Sequence, residues 1–389
     1  PVDVILIIMG VISAIAAMQV AGGLDYLVHI AAKILKSNPK YITFLAPLVT
    51  YTMTMFAGTG HTAFSTLPVI AEVAKREGIR PSRPLSIATV GAQIGITASP
   101  ISAAVVFFSS ELEKYGVDYV QLLMIAIPSS FIAVMLGAFI ANFLGKELKD
   151  DPVYQDRLAK GLVSMDSVDD QQMEITPEAK RAVMIFGISI FAVVSYAMAI
   201  SSTFNLIENP ILERDHAIIT FMLGAATLIT LFCKVDAKNI LNAATFKSGM
   251  SACICVLGVA WLGTTFVAAH MEEINVFAGA LLTKYPWMLA VVLFFAAMLL
   301  YSQAATTKAL MPAALALGVS PVAAIAAFAS VSALFILPTY PTLLAAVEFD
   351  DTGSTRVGKY VFDHPFLIPG VCTITFAVAL GFVFGGLIL

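Results

Sequence analysis

Charge is scarce in this sequence: of 389 residues, 12% are Asp, Glu, Lys or Arg, and the net charge is −4. An ordinary soluble domain carries about twice that fraction. A soluble fold of this length has no means of hiding the apolar surface that remains, whereas lipid removes the constraint. The lack of a basic excess excludes a nucleic-acid partner. Cysteine is also sparse, and Cys233, Cys253, Cys255 and Cys372 form no CxxC or Cys/His spacing. They read as small apolar fillers, with no metal site and no cofactor. The apolar stretches hold no nucleophile–base pair, metal set or pair of carboxylates, which excludes a membrane-embedded enzyme. Acidic residues sit only near the ends of those stretches, as at Glu72, Glu111 and Glu348. Proton-driven carriers keep a carboxylate relay in the membrane, so its lack points to anion exchange or to Na⁺ held by backbone carbonyls. The chain begins at Pro1, without a Met, a charged n-region or a cleavage-site pattern, and reads as a fragment or trimmed piece of a longer protein.

What is present is apolar length. Hydrophobic residues make up 59% of the chain, mean hydropathy is +0.89, and a bilayer crossing needs about 20 apolar residues in a helix. Uninterrupted stretches lie at residues 4–20, 120–144, 181–204, 216–233, 248–269 and 366–389. Three others, 41–74, 85–112 and 287–349, carry Gly, Pro, Ser, Thr and Gln clusters where a plain span has Leu and Val. Backbone breaks at membrane depth survive only where they face protein or a wet cavity, so function is expected there. Residues 146–181 hold nine acids and six bases and read as an exposed linker between two halves; residues 349–365 form a second polar loop.

The broken stretches recur. Residues 38–68 contain an apolar arm, the knot Gly58-Thr59-Gly60-His61-Thr62 and a short arm with Pro68. Residues 284–312 contain an apolar arm, the knot Gln303-Ala304-Ala305-Thr306-Thr307-Lys308 and a short arm with Pro312. Downstream, residues 83–102 match residues 320–339, each with a Pro that opens a helix and a later Pro expected to break it. Lys33, Lys36 and Lys40 precede the first knotted segment, and Lys75, Arg76, Arg80 and Arg83 follow it. The positive-inside rule places both clusters in the cytoplasm. The arms between them are too short for two comfortable crossings, which predicts a re-entrant hairpin. Counting onward puts the linker 146–181 inside and His270-Met271-Glu272-Glu273 outside, so the second hairpin, 287–316, dips in from the opposite face. The expected fold is an all-α integral membrane protein of two inverted-topology repeats, each with a re-entrant hairpin and a broken transmembrane helix. Residues 1–147 form the first transport repeat, 148–180 a cytoplasmic linker, 181–247 a connecting transmembrane pair and 248–389 the second repeat.

Each hairpin tip starts a second arm, whose N-terminus offers unpaired N–H groups and a positive dipole end; two such ends make an anion site. The residues expected to bind the anion are Gly58, Thr59, Gly60, His61 and Thr62 at the first tip, and Gln303, Thr306, Thr307 and Lys308 at the second. The broken helices add Thr97, Ser99, Ser102, Thr339, Tyr340 and Thr342. These are donors with almost no competing negative charge, and a small molecule with two carboxylates fits them. Plainer readings stand beside this one. Ser and Thr in membrane helices often bond only their own carbonyl four residues back, or permit close packing. Lys308 can snorkel to the outer face. An ammonium deep in lipid is costly unless paired or wet, which favours a functional Lys308. Arg80 and Arg83 read as topology anchors, with a lesser role in drawing anions to an inner entrance.

The segments QVAGGLDYLVHIAAKILKSNPKY, FAGTGHTAFSTLPVIAEVAKREGIRPSRPLS, GITASPISAAVV, LLYSQAATTKALMPAALALGVSP and LFILPTYPTLLAAVEFDDTG closely resemble the anaerobic C4-dicarboxylate transporter (Dcu) family, and the likeness runs from Pro1 to Leu389. The resemblance implies antiport of aspartate, fumarate, malate and succinate across a bacterial inner membrane. It also implies membership of a wider ion-transporter group with paired re-entrant hairpins. Family members begin with a further hydrophobic stretch of about two crossings before the PVDV position. The partners implied are small dicarboxylate anions and the lipid bilayer, while a homo-oligomer and a sensor kinase stay open. Two rival readings are a carrier-like co-sensor of a dicarboxylate sensor kinase and a Na⁺-coupled dicarboxylate symporter.

Overall fold

The structure is a computed structural model and describes residues 2–163, 175–201, 204, 206–255, 258, 265, 269–270 and 284–389. Among the described residues all regular structure is helical. The helices are α1 (Val2–Val20), α2 (Gly23–Ser37), α3 (Ile42–Ala57), α4 (Ala63–Arg76), α5 (Ser82–Gly95), α6 (Ala103–Glu113), α7 (Tyr119–Ala141), α8 (Pro152–Ala159) and α9 (Pro177–Ile200). They continue as α10 (Arg214–Phe232), α11 (Ala237–Ile240), α12 (Ala244–Cys255), α13 (Met288–Leu300), α14 (Gln303–Ala316), α15 (Pro321–Ala327), α16 (Pro341–Phe349) and α17 (Leu367–Ile388). Among the described residues five spans are long and apolar enough to cross a bilayer: Ser82–Glu113 with its internal break, α7, α9, α10 and α17. The pair α1 and α2 adds a bent sixth, turning by 72°. The bend suits the sequence. The α1 segment is apolar on every side, whereas α2 buries Val28, Ala31 and Leu35 on one face and exposes Lys33 and Lys36 on the other. An all-apolar helix belongs in lipid and a one-faced helix at its boundary.

The packing falls into distinct cores. Helices α1, α9 and α10 share one, with Ile15, Phe186 and Met222 at its centre. The broken helices share the others, one around Tyr51, Ile87 and Phe335 and one around Phe108, Met311 and Phe328. The α3–α5 contact is especially close, because α5 presents Gly91 and Gly95 one turn apart to α3. A Cβ on Gly95 would stand 2.9 Å from the Tyr51 carbonyl oxygen. Small residues let two backbones approach in a membrane, where dispersion replaces the hydrophobic drive between helices. Thr50 uses the approach to donate its hydroxyl to the Ala88 carbonyl at 2.7 Å.

Two expectations need correction. The linker does not run free over its whole described length. Asp151 is 2% exposed and lies 2.5 Å from Arg80 and 3.3 Å from Arg356. Arg157 on α8 donates to the Asp351 carbonyl at 2.7 Å, and Lys75 on α4 pairs with the Asp351 carboxylate at 2.7 Å. The start of the linker is thus clamped between α4, α5 and the loop after α16. Arg80 and Arg83 are buried in that clamp. Secondly, the second broken helix loosens well before its proline: α15 gives way to a 3-10 turn over Phe328–Ser332, ahead of Pro338. The first loosens at Ile96–Ala98, ahead of Pro100. In both cases the loosening precedes the proline.

Candidate functional site

Helix α3 stops because Gly58 adopts φ +65°, a left-handed conformation in which its N–H still reaches the Thr54 carbonyl at 2.8 Å. A side chain there would be strained and would press on Ile101. Thr59 follows, then a 3-10 turn over Gly60–Thr62 that leads into α4. Thr62 holds this turn, with its hydroxyl 3.3 Å from both the Thr54 hydroxyl and the Thr59 carbonyl.

The second break has a different chemistry. Helix α13 ends at Leu300, and Tyr301 takes φ +52°, uncommon for a residue with a side chain. Its hydroxyl bonds the Thr339 hydroxyl, and its ring stacks on Tyr340 at 6.1 Å with 5° between planes. These contacts offset the backbone cost. Ser302 then caps α14, its hydroxyl oxygen accepting the Ala305 N–H at 3.2 Å. The break therefore falls at Tyr301-Ser302, just ahead of the Gln303–Lys308 knot, which occupies the first turns of α14.

The two breaks and the broken helix α5–α6 close on one cavity of about 490 Å³, within the roughly 300–1,000 Å³ range of small-molecule sites. Its polar wall comprises Thr59, Thr245, Tyr301, Ser302, Gln303 and Tyr340, and Gly58 and Gly60 contribute backbone. No Asp, Glu, Lys or Arg lines it among the described residues. Helices α6 and α14 begin at its wall, through Ala103–Ala104 and Gln303–Ala305, so their N-terminal dipole ends border it. The Gln93 carbonyl joins the elements behind it, accepting from the Gln303 amide at 3.2 Å and the Ser332 hydroxyl at 3.1 Å.

Of the residues expected from sequence, Gly58, Thr59, Gly60, Gln303 and Tyr340 line this cavity. Thr62 and Thr339 stand one step behind, bonded to the tips. Thr97 donates to the Ile94 carbonyl at 2.8 Å, and Ser102 both caps α6 and donates to the Ile96 carbonyl at 2.8 Å. Ser99 accepts the Ile101 N–H at 3.4 Å. These three shape the break and do not line the cavity. Thr306 and Thr307 turn back on the Ser302 and Gln303 carbonyls at 2.8 and 2.7 Å. Thr342 and Lys308 are each 2% exposed and also lie off the cavity. Lys308 does not snorkel; protein encloses it. The His61 and Cys255 side chains lie outside the described residues, as does the Met271-Glu272-Glu273 stretch. Sequence reading missed Tyr301, Ser302 and Thr245. The first two adjoin the knot and could have been included by extending it. Thr245 comes from α12, on a stretch with no anomaly, and is carried to the wall by its hydrogen bond to Gln19 at 2.8 Å.

A cavity enclosed by helix breaks within a set of bilayer-length apolar helices defines a membrane transporter. The whole chain, residues 1–389, matches the anaerobic C4-dicarboxylate membrane transporter family. It is 64% identical to the C4-dicarboxylate transporter DcuA of Wolinella succinogenes, over 100% of this chain and 89% of the relative. It is 57% identical to DcuA of Escherichia coli, over 100% of this chain and 90% of the relative. The anaerobic C4-dicarboxylate transporter DcuB of Escherichia coli is 36% identical, with 100% of this chain and 89% of the relative covered. The chain belongs to this family and is a multi-pass membrane transporter.

Proposed function

We propose that the chain exchanges C4-dicarboxylates, among them aspartate, fumarate, malate and succinate, by antiport across a bacterial inner membrane. The observation that carries this reading is a cavity shared by both helix breaks, bordered by hydroxyls, an amide and helix N-termini, with no lining carboxylate among the described residues. A dianion needs donors and positive potential and is repelled by carboxylates. Thr59 serves one carboxylate, and Ser302 and Gln303 the other. Thr62, Thr97, Ser99, Ser102, Thr306, Thr307 and Thr339 hold the breaks in shape. Lys308, early in α14, supplies positive charge from behind the wall.

In this reading α3–α4 and α13–α14 are re-entrant hairpins of two inverted repeats, residues 1–147 and 248–389, with the linker 148–180 in the cytoplasm. Their support is the recurrence of helix, break, helix and broken span in the same order. Exchange of one dianion for another is electroneutral and needs no proton gradient. Counterflow in proteoliposomes tests it: trapped succinate should drive uptake of labelled fumarate with no ion gradient imposed. Uptake that depends on an imposed proton or Na⁺ gradient would overturn it. One observation favours a Na⁺-coupled second reading. Helices α3 and α13 end at the cavity, and C-terminal carbonyls suit a cation; a Na⁺ requirement in the same assay decides for it.

A further inference from the structure

A second cavity, of about 340 Å³, opens at the start of α5, against residues 144–145 and the loop before α17. It shares no lining residue with the cavity at the helix breaks. Its wall carries Arg80, Arg83, Arg356, Asp363 and His364. Arg80 engages Asp151 and the Lys146 carbonyl through Nη1 and Ser82 through Nε. Arg83 engages the Leu144 carbonyl through Nε, and the Gly145 carbonyl and Glu147 through Nη2. Each guanidinium therefore keeps one terminal nitrogen, Nη2 of Arg80 and Nη1 of Arg83, without a hydrogen bond among the described residues. Three cations and Asp363 are on the wall, and Asp151 and Glu147 stand behind, so the charges balance. What the wall offers an anion is the two unbonded guanidinium nitrogens.

His364 narrows the kind of anion. It is 8% exposed, and its Nε2 lies 3.0 Å from the Ile336 carbonyl. A carbonyl only accepts, so Nε2 carries the proton. Nδ1 is then a lone pair in the neutral ring, buried and without a partner among the described residues. A buried acceptor left open costs stability. Desolvation holds the imidazole pKa below its ordinary value, against the opposing pulls of the Ile336 carbonyl and Asp363. The ring thus stays neutral near pH 7 and asks for an O–H.

We propose that this cavity binds an oxyanion that carries its own proton, hydrogen phosphate or a phosphate monoester held in its singly protonated form, with Arg80 and Arg83 on the charged oxygens and His364 Nδ1 accepting the O–H. A fully ionised oxyanion of the same size, such as sulfate, has nothing to offer Nδ1 and brings a lone pair against it. The phosphate group has two sources, free in solution or on a lipid headgroup such as phosphatidate.

The test uses the purified full chain in detergent at pH 7 and fixed ionic strength, with inorganic phosphate and sulfate as probes in calorimetry. Phosphate is expected to bind one per chain, at least tenfold tighter than sulfate. His364→Phe should erase that preference, and His364→Gln serves if the Phe variant does not fold. Ser86→Asp, which adds a carboxylate to the wall, should abolish both. Thr59→Ala, at the other cavity, should leave phosphate binding unchanged. In liposomes of phosphatidylcholine with and without phosphatidate, a lipid source shows as phosphatidate retained through purification and displaced by phosphate. A free source shows as phosphate binding equal in both. Equal affinity for phosphate and sulfate, phosphate binding unchanged in the His364 variants, or loss on Thr59→Ala would each overturn the proposal.

Discussion

Replacing Asp151 by Asn removes one charge from the clamp that sets the start of α5 while keeping shape and most hydrogen bonding. Asp151 is 2% exposed and meets Arg80 at 2.5 Å, Arg356 at 3.3 Å and the Val153 N–H at 2.9 Å. Arg80 is itself 8% exposed. Removing one partner of a buried pair leaves the other uncompensated and costs about 3–5 kcal/mol. Arg356 is half-exposed and adds less, since exposed pairs contribute roughly 0–1 kcal/mol. The expected loss is therefore about 3 kcal/mol, a sizeable part of the roughly 5–15 kcal/mol that holds a typical domain together. The pH dependence has a definite sign. Burial alone would raise the Asp151 pKa, but the Val153 N–H and the Arg80 guanidinium outweigh it and hold the carboxyl below its ordinary 3.8. Its stabilisation is thus fully present above the unfolded value and is lost as pH falls through the lower folded one. Thermal unfolding of the detergent-purified protein from pH 7 down to pH 3 measures both effects. Asp151→Asn should lower the midpoint at pH 7 and flatten its dependence on pH below 4. A double-mutant cycle with Arg80→Gln should return a coupling above about 1 kcal/mol. An unchanged midpoint in Asp151→Asn, or full additivity with Arg80→Gln, would refute the clamp.

Other consequences can be measured on the same material. Thr59→Ala and Ser302→Ala should each weaken fumarate binding by about ten- to a hundred-fold, the worth of a hydrogen bond to a charged group, in equilibrium binding. Lys308→Gln should reduce transport of fumarate more than transport of the mono-amide asparagine; equal losses would deny it a part in neutralising the dianion. Gly95→Val forces a side chain against the Tyr51 carbonyl and should cost about 1–3 kcal/mol by thermal unfolding, with Gly224→Ala, where a Cβ meets nothing, as the mild comparison. The His364 pKa is depressed, so its contribution is present above the ordinary 6.5 and lost as pH falls below it. His364→Gln should make stability fall less between pH 7 and pH 5.

The apolar class and the places where helices break were legible because each has a direct sequence cause. Twenty apolar residues without charge have one inexpensive environment, and Gly58-Thr59-Gly60 cannot continue a helix cheaply. Helix α17, expected over 366–389, begins at Leu367, and α7, expected over 120–144, begins at Tyr119. What escaped the sequence depends on contacts between distant segments. The positive φ of Tyr301 is held by Thr339 and Tyr340. No rule of local propensity places a tyrosine there. The break in the second broken helix was assigned to Pro338 because proline is the local breaker. It falls earlier because Ser332 is drawn to the Gln93 carbonyl, more than two hundred residues away in sequence. The linker looked free because its charges were read as solvated, yet Asp151 found two arginines. For Thr306 and Thr307 the plainer expectation describes their bonding: each hydroxyl returns to the carbonyl four residues back.

The central claim is that both helix breaks hold one dianion. An experimental structure with bromosuccinate, its bromine located by anomalous scattering, tests this most directly. The account predicts one ligand in the 490 Å³ cavity, with one carboxylate within about 2.7–3.2 Å of Thr59 and the other at the same distance from Ser302 or Gln303. A bromine located elsewhere, with the space between Thr59 and Ser302 holding only solvent, would contradict it.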